Sequence, residues 1–168
     1  FRHVVTGIQI TGIDKDDKEA LIAELPDGVT TVIHRGVNSL IACVGKGKCK
    51  NGLMETAELA DYIERKHYGR KTSHKCKIGI SGCGRNCPDS MVKDIAFIGT
   101  SQGFMLAVGG NTGMRPEAGK ILMRKLSVEQ AKKAADILID WYAENGEPKE
   151  RMGKLLERLG NPLENKTL

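Results

Sequence analysis

The chain has 168 residues, 28% charged and 40% hydrophobic, with a net charge of +5 and only 4% aromatic side chains. That length buries a core without disulfide staples, and charges of mixed sign exclude the composition of a disordered chain. No apolar run approaches the roughly 20 residues of a membrane span, the opening FRHVVTGIQI lacks the layout of a secretory signal, and so few aromatics argue against a nucleic-acid partner despite the basic balance. The expectation is a cytoplasmic protein with no membrane contact. Phe1, in place of Met, leaves room for a preceding segment.

Residues 4–10 read as a strand, and DKDDKEALIAEL as a helix with Asp16 and Glu19 at capping-box spacing. Pro26, Asp27 and Gly28 end it, and β-branched VTTVI at 29–33 reads as a second strand, so the chain opens with a small β-α-β unit. Residues 43–52, CVGKGKCKNG, are loop-like. Leu53, Ala57, Ala60 and Ile63 recur at helical spacing up to Gly69. Strands follow at 76–80, in DIAFIG and in FMLAVGG, with a hairpin turn at 100–103 between the last two. GGNTGMRPEAGK reads as a flexible, glycine-rich stretch. Ser127 and Gln130 then cap a long helix with Ala131, Ala134, Ala135 and Leu138 on its apolar face, and a short helix carrying Met152, Leu155, Leu156 and Leu159 stops at Gly160. The elements predict an α+β domain, with a mixed, mostly antiparallel sheet covered by helices.

Chemistry concentrates in the cysteines. An odd number, five, with no export signal, points to metal or redox use rather than disulfides. Cys43 and Cys49 are separated by five residues, and Cys83 and Cys87 by three, both pairs on glycine-containing loops where backbone N–H groups can turn toward an anionic centre. An iron–sulfur cluster, a structural zinc with a looser gap than usual, and unrelated buried cysteines all fit that spacing. Cys76 sits between Lys75 and Lys77, and strand alternation sends it to the core with Ile78 and Ile80. The two lysines leave the opposite face together. In a desolvated pocket they would hold an anion and supply protons; on an open edge they would be an ordinary solvated basic strand.

ACVGKGKC, HKCKIGISGCGRNC, DIAFIG and VGGNTG, in that order, resemble the half of the nitrite and sulfite reductases that holds a coupled sirohaem and 4Fe-4S centre. The likeness runs from Ile8 to the tail WYAENGEPKERMGKLLERLG and points to a small, single-repeat, low-molecular-weight assimilatory type, or to a fragment lacking its first strands. It implies a nitrite/sulfite reductase 4Fe-4S domain-like fold, with residues 1–42 as a partial ferredoxin-like β-α-β half and 43–168 as one compact cofactor-binding half. It further implies that Cys43, Cys49, Cys83 and Cys87 ligate a 4Fe-4S cluster, that Cys87 also bridges to the sirohaem iron, and that Lys75 and Lys77 are catalytic, facing a sulfite- or nitrite-like oxyanion. Sirohaem carboxylates would fall to the loop of Gly109, Gly110, Asn111, Gly113 and Arg115, with Lys120 and Arg124 beside it. A low-potential electron-donor protein is the implied partner, and a homo-oligomer is compatible with the reading.

Two departures qualify the likeness. The family's arginines in the opening Thr-x-Arg-Gln stretch and before the first cysteine are absent from HVVTGIQI and GVNSLIAC; Arg2, Arg35, Lys46 and Lys48 are the cations available to replace them. The missing arginines keep open a 4Fe-4S electron-transfer protein without sirohaem or reductase activity, and, more remotely, a zinc-stabilised basic module.

Overall fold

The computed structural model describes residues 2–4, 7–9, 14, 16–25, 36–164, 166 and 168. The chain divides into two compact units, Phe1–Val32 and Ile33–Leu168. In the first, β1 (Arg2–Val4) and β2 (Gly7–Gln9) pair antiparallel, with Val4 opposite Gly7, and α1 (Lys18–Ala23) follows. The single strand expected over 4–10 is therefore a hairpin of two short strands. α1 is capped at Asp17 without a side-chain bond, so the Asp16–Glu19 box does not form. With Asp14, Asp16 and Asp17 in a row of equivalent caps, composition does not select one. The strand expected over 29–33, and with it the closing half of the β-α-β opening, lies outside the described residues.

The second unit runs β3 (Gly36–Ala42), α2 (Ala57–His67), β4 (Lys75–Ser81), a 3-10 turn (Ser90–Val92), β5 (Ile95–Thr100), β6 (Gly103–Val108), β7 (Lys120–Leu126), α3 (Val128–Asn145) and α4 (Met152–Leu159). Its five strands lie in chain order, β3-β4-β5-β6-β7. The mixed sheet is as expected, but its pairings divide evenly instead of being mostly antiparallel: β3–β4 and β4–β5 are parallel, β5–β6 and β6–β7 antiparallel. Parallel neighbours require a crossover, supplied here by α2 and then by the 3-10 segment. β3 belongs to this sheet, so the units part at Val32 and Ile33 rather than at residue 42.

Alternation along the central strands sorts the two faces. Cys76, Ile78, Ile80, Ile95, Phe97, Phe104, Leu106 and Val108 are buried in one cluster with Leu59 and Ile63 of α2 and Ala131, Ala134, Ala135, Leu138 and Tyr142 of α3. Cys76 is fully buried, as expected. Phe97 and Phe104 meet edge to face, with centroids 6.3 Å apart. On the other face Ala96, Ile98 and Ala107 form a smaller cluster with Met91 and Met105. The Ser127–Gln130 capping box is present in full.

Two strands were not legible in advance. In β3, Asn38 and Ser39 interrupt the β-branched run, and its pairing shifts register between Val37 and Ser39. In β7, KILMRKL is rich in helix formers. Pairing with β6, which places Leu126 opposite Phe104 in the core, overrides that propensity. Among the described residues no helix is long and apolar enough to cross a membrane.

Candidate functional site

Cys43 directly follows β3, and Cys83 lies two residues beyond β4. The strands are parallel, with Ala42 opposite Ile80, so both cysteines leave the same carboxyl-terminal end of the sheet. The Cys43 N–H still donates to the Ile80 carbonyl at 3.0 Å, which carries the ladder up to the cysteine itself. Gly82 joins the loops. Its N–H donates to Cys43 Sγ at 3.0 Å, and its carbonyl accepts the N–H groups of Leu53 and Met54 at 2.8 and 3.0 Å. A Cβ at this position would lie 2.8 Å from Gly45 Cα and 3.0 Å from the Met54 carbonyl, so only hydrogen fits. Gly45 in turn accepts the Cys49 N–H at 3.0 Å. The segments bearing Cys43, Cys49 and Cys83 are thus fastened to one another through backbone groups.

Cys87 is exposed and follows Asn86, a non-glycine residue at φ +54°. Asn86 N–H bonds the Cys83 carbonyl at 3.3 Å, while its Oδ1 accepts the Met91 N–H at 3.3 Å. Ser81 and Ser90 hydroxyls meet at 2.8 Å and hold the 3-10 turn over β4. The helix expected from Leu53 begins only at Ala57, and the reason is local to this site. Thr56 would be a natural cap, but its hydroxyl donates to the Cys43 carbonyl at 2.5 Å. Glu55 takes over, accepting the Thr56 and Ala57 N–H groups at 2.9 and 3.0 Å, and those two bonds hold its carboxyl below the usual carboxylate range.

Lys75 and Lys77 are not at this end. β4 is extended from Lys75 to Ser81, so Lys77 lies roughly 13 Å from Ser81 and farther from the cysteines. Both lysines are half-buried on the face opposite Cys76, as alternation requires. His74 accepts the Lys75 N–H at Nδ1 (2.8 Å), so one ring nitrogen is engaged by backbone.

The 109–113 loop is beside the lysines instead. Val108 pairs with both Ile95 and Lys120, which sets the loop next to the start of β5. Gly109 adopts φ +89°, and a Cβ there would lie 2.9 Å from Gly153 Cα in α4. The stretch expected to be flexible is a closed turn: Asn111 and Glu117 exchange backbone bonds, both 2.9 Å, and Asn111 Oδ1 accepts the Gly113 N–H at 3.1 Å. Single-sequence composition reports the glycines but not this pairing. Gly110 is buried, and Arg115 and Lys120 are exposed. Arg124 stands apart, its guanidinium 3.2 Å from Met105 Sδ on the sheet face of the smaller cluster. Lys46 and Lys48 are exposed on the cysteine loop. Arg35 and the Arg2 side chain lie outside the described residues.

Asp94 went unrecognised in the sequence, where its signal was an acid opening the apolar run IAFIG. It is buried, bonded to the Lys77 N–H at 2.9 Å and to Arg151 at 2.6 Å. Burial pushes its carboxyl above the ordinary value, against the pull of Arg151 and the Lys77 N–H. Burial likewise pushes the Cys76 thiol up, consistent with an inert core cysteine.

The cysteine end fits an iron–sulfur cluster. Thiolates are its ligands, and the Gly82 N–H directed at Cys43 Sγ is the kind of bond that tunes a cluster and stabilises its negative charge. Among the described residues no three Cys, His, Asp or Glu side chains converge tightly enough for a single ion. A 4Fe-4S cluster places each thiolate on a separate iron.

Comparison with known proteins agrees. "Sulfite reductase, assimilatory-type" of Nitratidesulfovibrio vulgaris is 31% identical over 153 residues, covering 91% of this chain and 70% of that protein. "Nitrite reductase (NADH) large subunit" of Escherichia coli (strain K12) is 30% identical over 161 residues, covering 92% of this chain but 19% of that one. Two solved structures share the fold: dissimilatory sulfite reductase I, with a TM-score of 0.75 at 14% identity over 91% of this chain and 58% of that chain, and the NirA protein of Mycobacterium tuberculosis, with a TM-score of 0.67 at 18% identity over 78% and 26%. The family described as "Nitrite and sulphite reductase 4Fe-4S domain" matches residues 34–162, a span that takes in both cysteine pairs, the lysine strand and the glycine loop. A 4Fe-4S cluster coupled to sirohaem is the redox equipment of that family, whose named members are oxidoreductases. The chain therefore belongs to the nitrite and sulphite reductase 4Fe-4S domain family.

Proposed function

We propose that this chain is the catalytic module of a sulfite- or nitrite-reducing enzyme, with Cys43, Cys49, Cys83 and Cys87 as ligands of its 4Fe-4S cluster and Cys87 as the bridge to the sirohaem iron. The observation that carries the proposal is Gly82: its contacts gather three of the cysteine segments, and its N–H faces a ligand sulfur. Cluster and sirohaem, when bound, would supply the low-potential electrons for reducing an oxyanion, each oxygen released as water for two electrons and two protons. The residues of the chain hold and orient these groups. Asn86 turns the backbone so that Cys87, exposed, faces outward.

Lys75 and Lys77, with the 109–113 loop and Arg115, form the cationic end of the site. Sirohaem, when bound, would present carboxylates for these cations to hold, and Lys77, the nearer lysine, is the candidate to hold the oxyanion and move protons to it. The electron donor is a low-potential protein. Five cysteines without a disulfide, four of them proposed cluster ligands, suit a reducing compartment and support a cytoplasmic location.

Anaerobic reconstitution of the full chain, followed by iron, sulfide and zinc analysis and solvent extraction of tetrapyrrole, tests the reading. About four irons and four sulfides with bound sirohaem are expected. Iron and sulfide without tetrapyrrole would reassign the chain as an electron carrier, and zinc alone would overturn the cluster. In the loaded protein, Lys75→Met and Lys77→Met should lower oxyanion reduction by roughly tenfold or more each, with iron content unchanged. Undiminished reduction in the double variant removes both lysines from the site.

A further inference from the structure

Asp94 is a carboxylate with 1% exposure at the head of a strand whose next four residues are apolar and buried. A charge in such surroundings is costly unless both oxygens are satisfied, and here they are. Oδ2 accepts the Lys77 N–H at 2.9 Å. Oδ1 accepts Arg151 Nε at 3.1 Å and Nη2 at 2.6 Å. The residue's own carbonyl accepts the Gly109 N–H at 2.8 Å. The β4–β5 ladder starts at Ile78 opposite Ile95, so the Asp94 side chain extends it by one bond, to the lysine that precedes the ladder. One residue therefore fastens three things: β4 at Lys77, the first residue of the glycine loop, and, through Arg151, the cap of α4. α4 also touches the loop directly, where Gly153 packs on Gly109.

Stability alone does not account for this choice. A buried ion pair can be replaced by apolar groups of similar volume with little loss of stability, and often with a gain. What apolar groups cannot do is fix the Lys77 N–H and the Arg151 fork at set distances from the Gly109 amide. We propose that Asp94, braced by Arg151, is a positioning residue for the anion-binding end of the sheet, fixing Lys77 relative to the 109–113 loop. The proposal rests on the reading of that end given above. It also takes Arg151 out of the anion site, because its guanidinium is engaged by Asp94.

Asp94→Asn separates positioning from simple charge. The amide oxygen can still accept from Lys77, but its NH2 group is set against the Arg151 donors, so the brace breaks with almost no change of shape. The freed guanidinium adds a cation near the site, and a purely electrostatic role would then strengthen anion binding. Positioning predicts the opposite sign. The full chain, reconstituted with its cluster, is titrated with sirohaem by absorption well below its melting temperature, and amide hydrogen exchange is read at Lys77 and Gly109. Asp94→Asn is expected to weaken sirohaem binding roughly tenfold or more and to speed exchange at both amides, with iron and sulfide unchanged. Arg151→Lys, half-exposed and far safer for folding, keeps the charge but loses the fork and should give a smaller loss of the same sign. Unchanged or tighter sirohaem binding in both variants overturns the proposal. The Lys75→Met, Lys77→Met double variant is titrated in parallel: if it weakens binding while the Asp94 and Arg151 variants do not, the brace alone fails. If it has no effect, the anion-site reading fails and takes the brace with it.

Discussion

The two ends of the central sheet solve opposite problems. At the cysteine end the proposed ligands sit on loops, and the order of those loops comes from backbone bonds and close contacts around Gly82 and Gly45. At the lysine end the functional groups sit on a strand and a closed turn, and their spacing is set by one buried carboxylate and its arginine. A soft, anionic cluster supplies its own bonding energy to thiolates, so the protein needs only to present sulfur and N–H groups. Cations gathered to hold an anion repel one another and must be fixed by the scaffold before the anion arrives. Beside Lys77 and Gly109 the fastening group is accordingly a buried carboxylate with its arginine, where the cysteine end uses backbone groups and close glycine contacts.

The largest expected effect would break the comparison at its first term. Cys43→Ser, Cys49→Ser, Cys83→Ser and Cys87→Ser should each abolish or cripple the cluster, whereas Cys76→Ser, in the core, should retain iron and lose only stability, about 1–3 kcal/mol for a buried hydroxyl without a partner. Equal iron loss in all five variants would remove the distinction between ligand and core cysteine. Gly82→Ala comes next. Its Cβ meets backbone at 2.8 Å, which cannot yield as a side chain would. Overpacking should cost about 1–3 kcal/mol, together with part of the iron. Hydrogen exchange across 109–113 should stay at the parent rate, and a change there would show that the two ends are not independent.

Thr56→Val sharpens the comparison more gently. It keeps the shape and deletes the bond to the Cys43 carbonyl, so a loss of about 1 kcal/mol in chemical denaturation and faster loss of iron are expected, with anion binding untouched. Smallest is the titration of Glu55. Its carboxyl lies below its ordinary value in the folded chain because the Ala57 and Thr56 N–H groups bond the charged form. The stabilisation is therefore present above the unfolded value of about 4.5 and is lost as pH falls through the folded one. Glu55→Gln should lower stability slightly at neutral pH, converge with the parent below the folded value and so flatten the acid limb; an equal change at low pH would contradict this cap.

How much of this was legible in the sequence depends on the range of the forces involved. The α3 capping box, the apolar face of α3 and the burial of Met152, Leu155 and Leu156 in α4 follow from spacing within a turn or two of helix, and burial of Cys76 follows from strand alternation. The α2 face expected from Leu53, Ala57, Ala60 and Ile63 is displaced, with Leu53 and Ala57 exposed and Leu59, Ile63 and His67 buried. The spacing of the cysteine pairs on glycine loops is local too, but by itself it left a cluster, a zinc and unrelated cysteines open, and the family resemblance chose among them. β7 was hidden because its residues favour a helix, and only its place against β6 makes it a strand. The even split of parallel and antiparallel pairs depended on crossovers that no window of sequence contains. Residues 75–87 illustrate both sides: sequence put the lysines and cysteines a few positions apart and on one strand-and-turn, while tertiary structure set them at opposite ends of the sheet. Extended backbone gains roughly 3.3 Å per residue, so a short interval in sequence becomes a long one in space. Asp94 shows the reverse. It is 17 positions from Lys77 and 57 from Arg151, and the parallel register and the docking of α4 bring the three into contact.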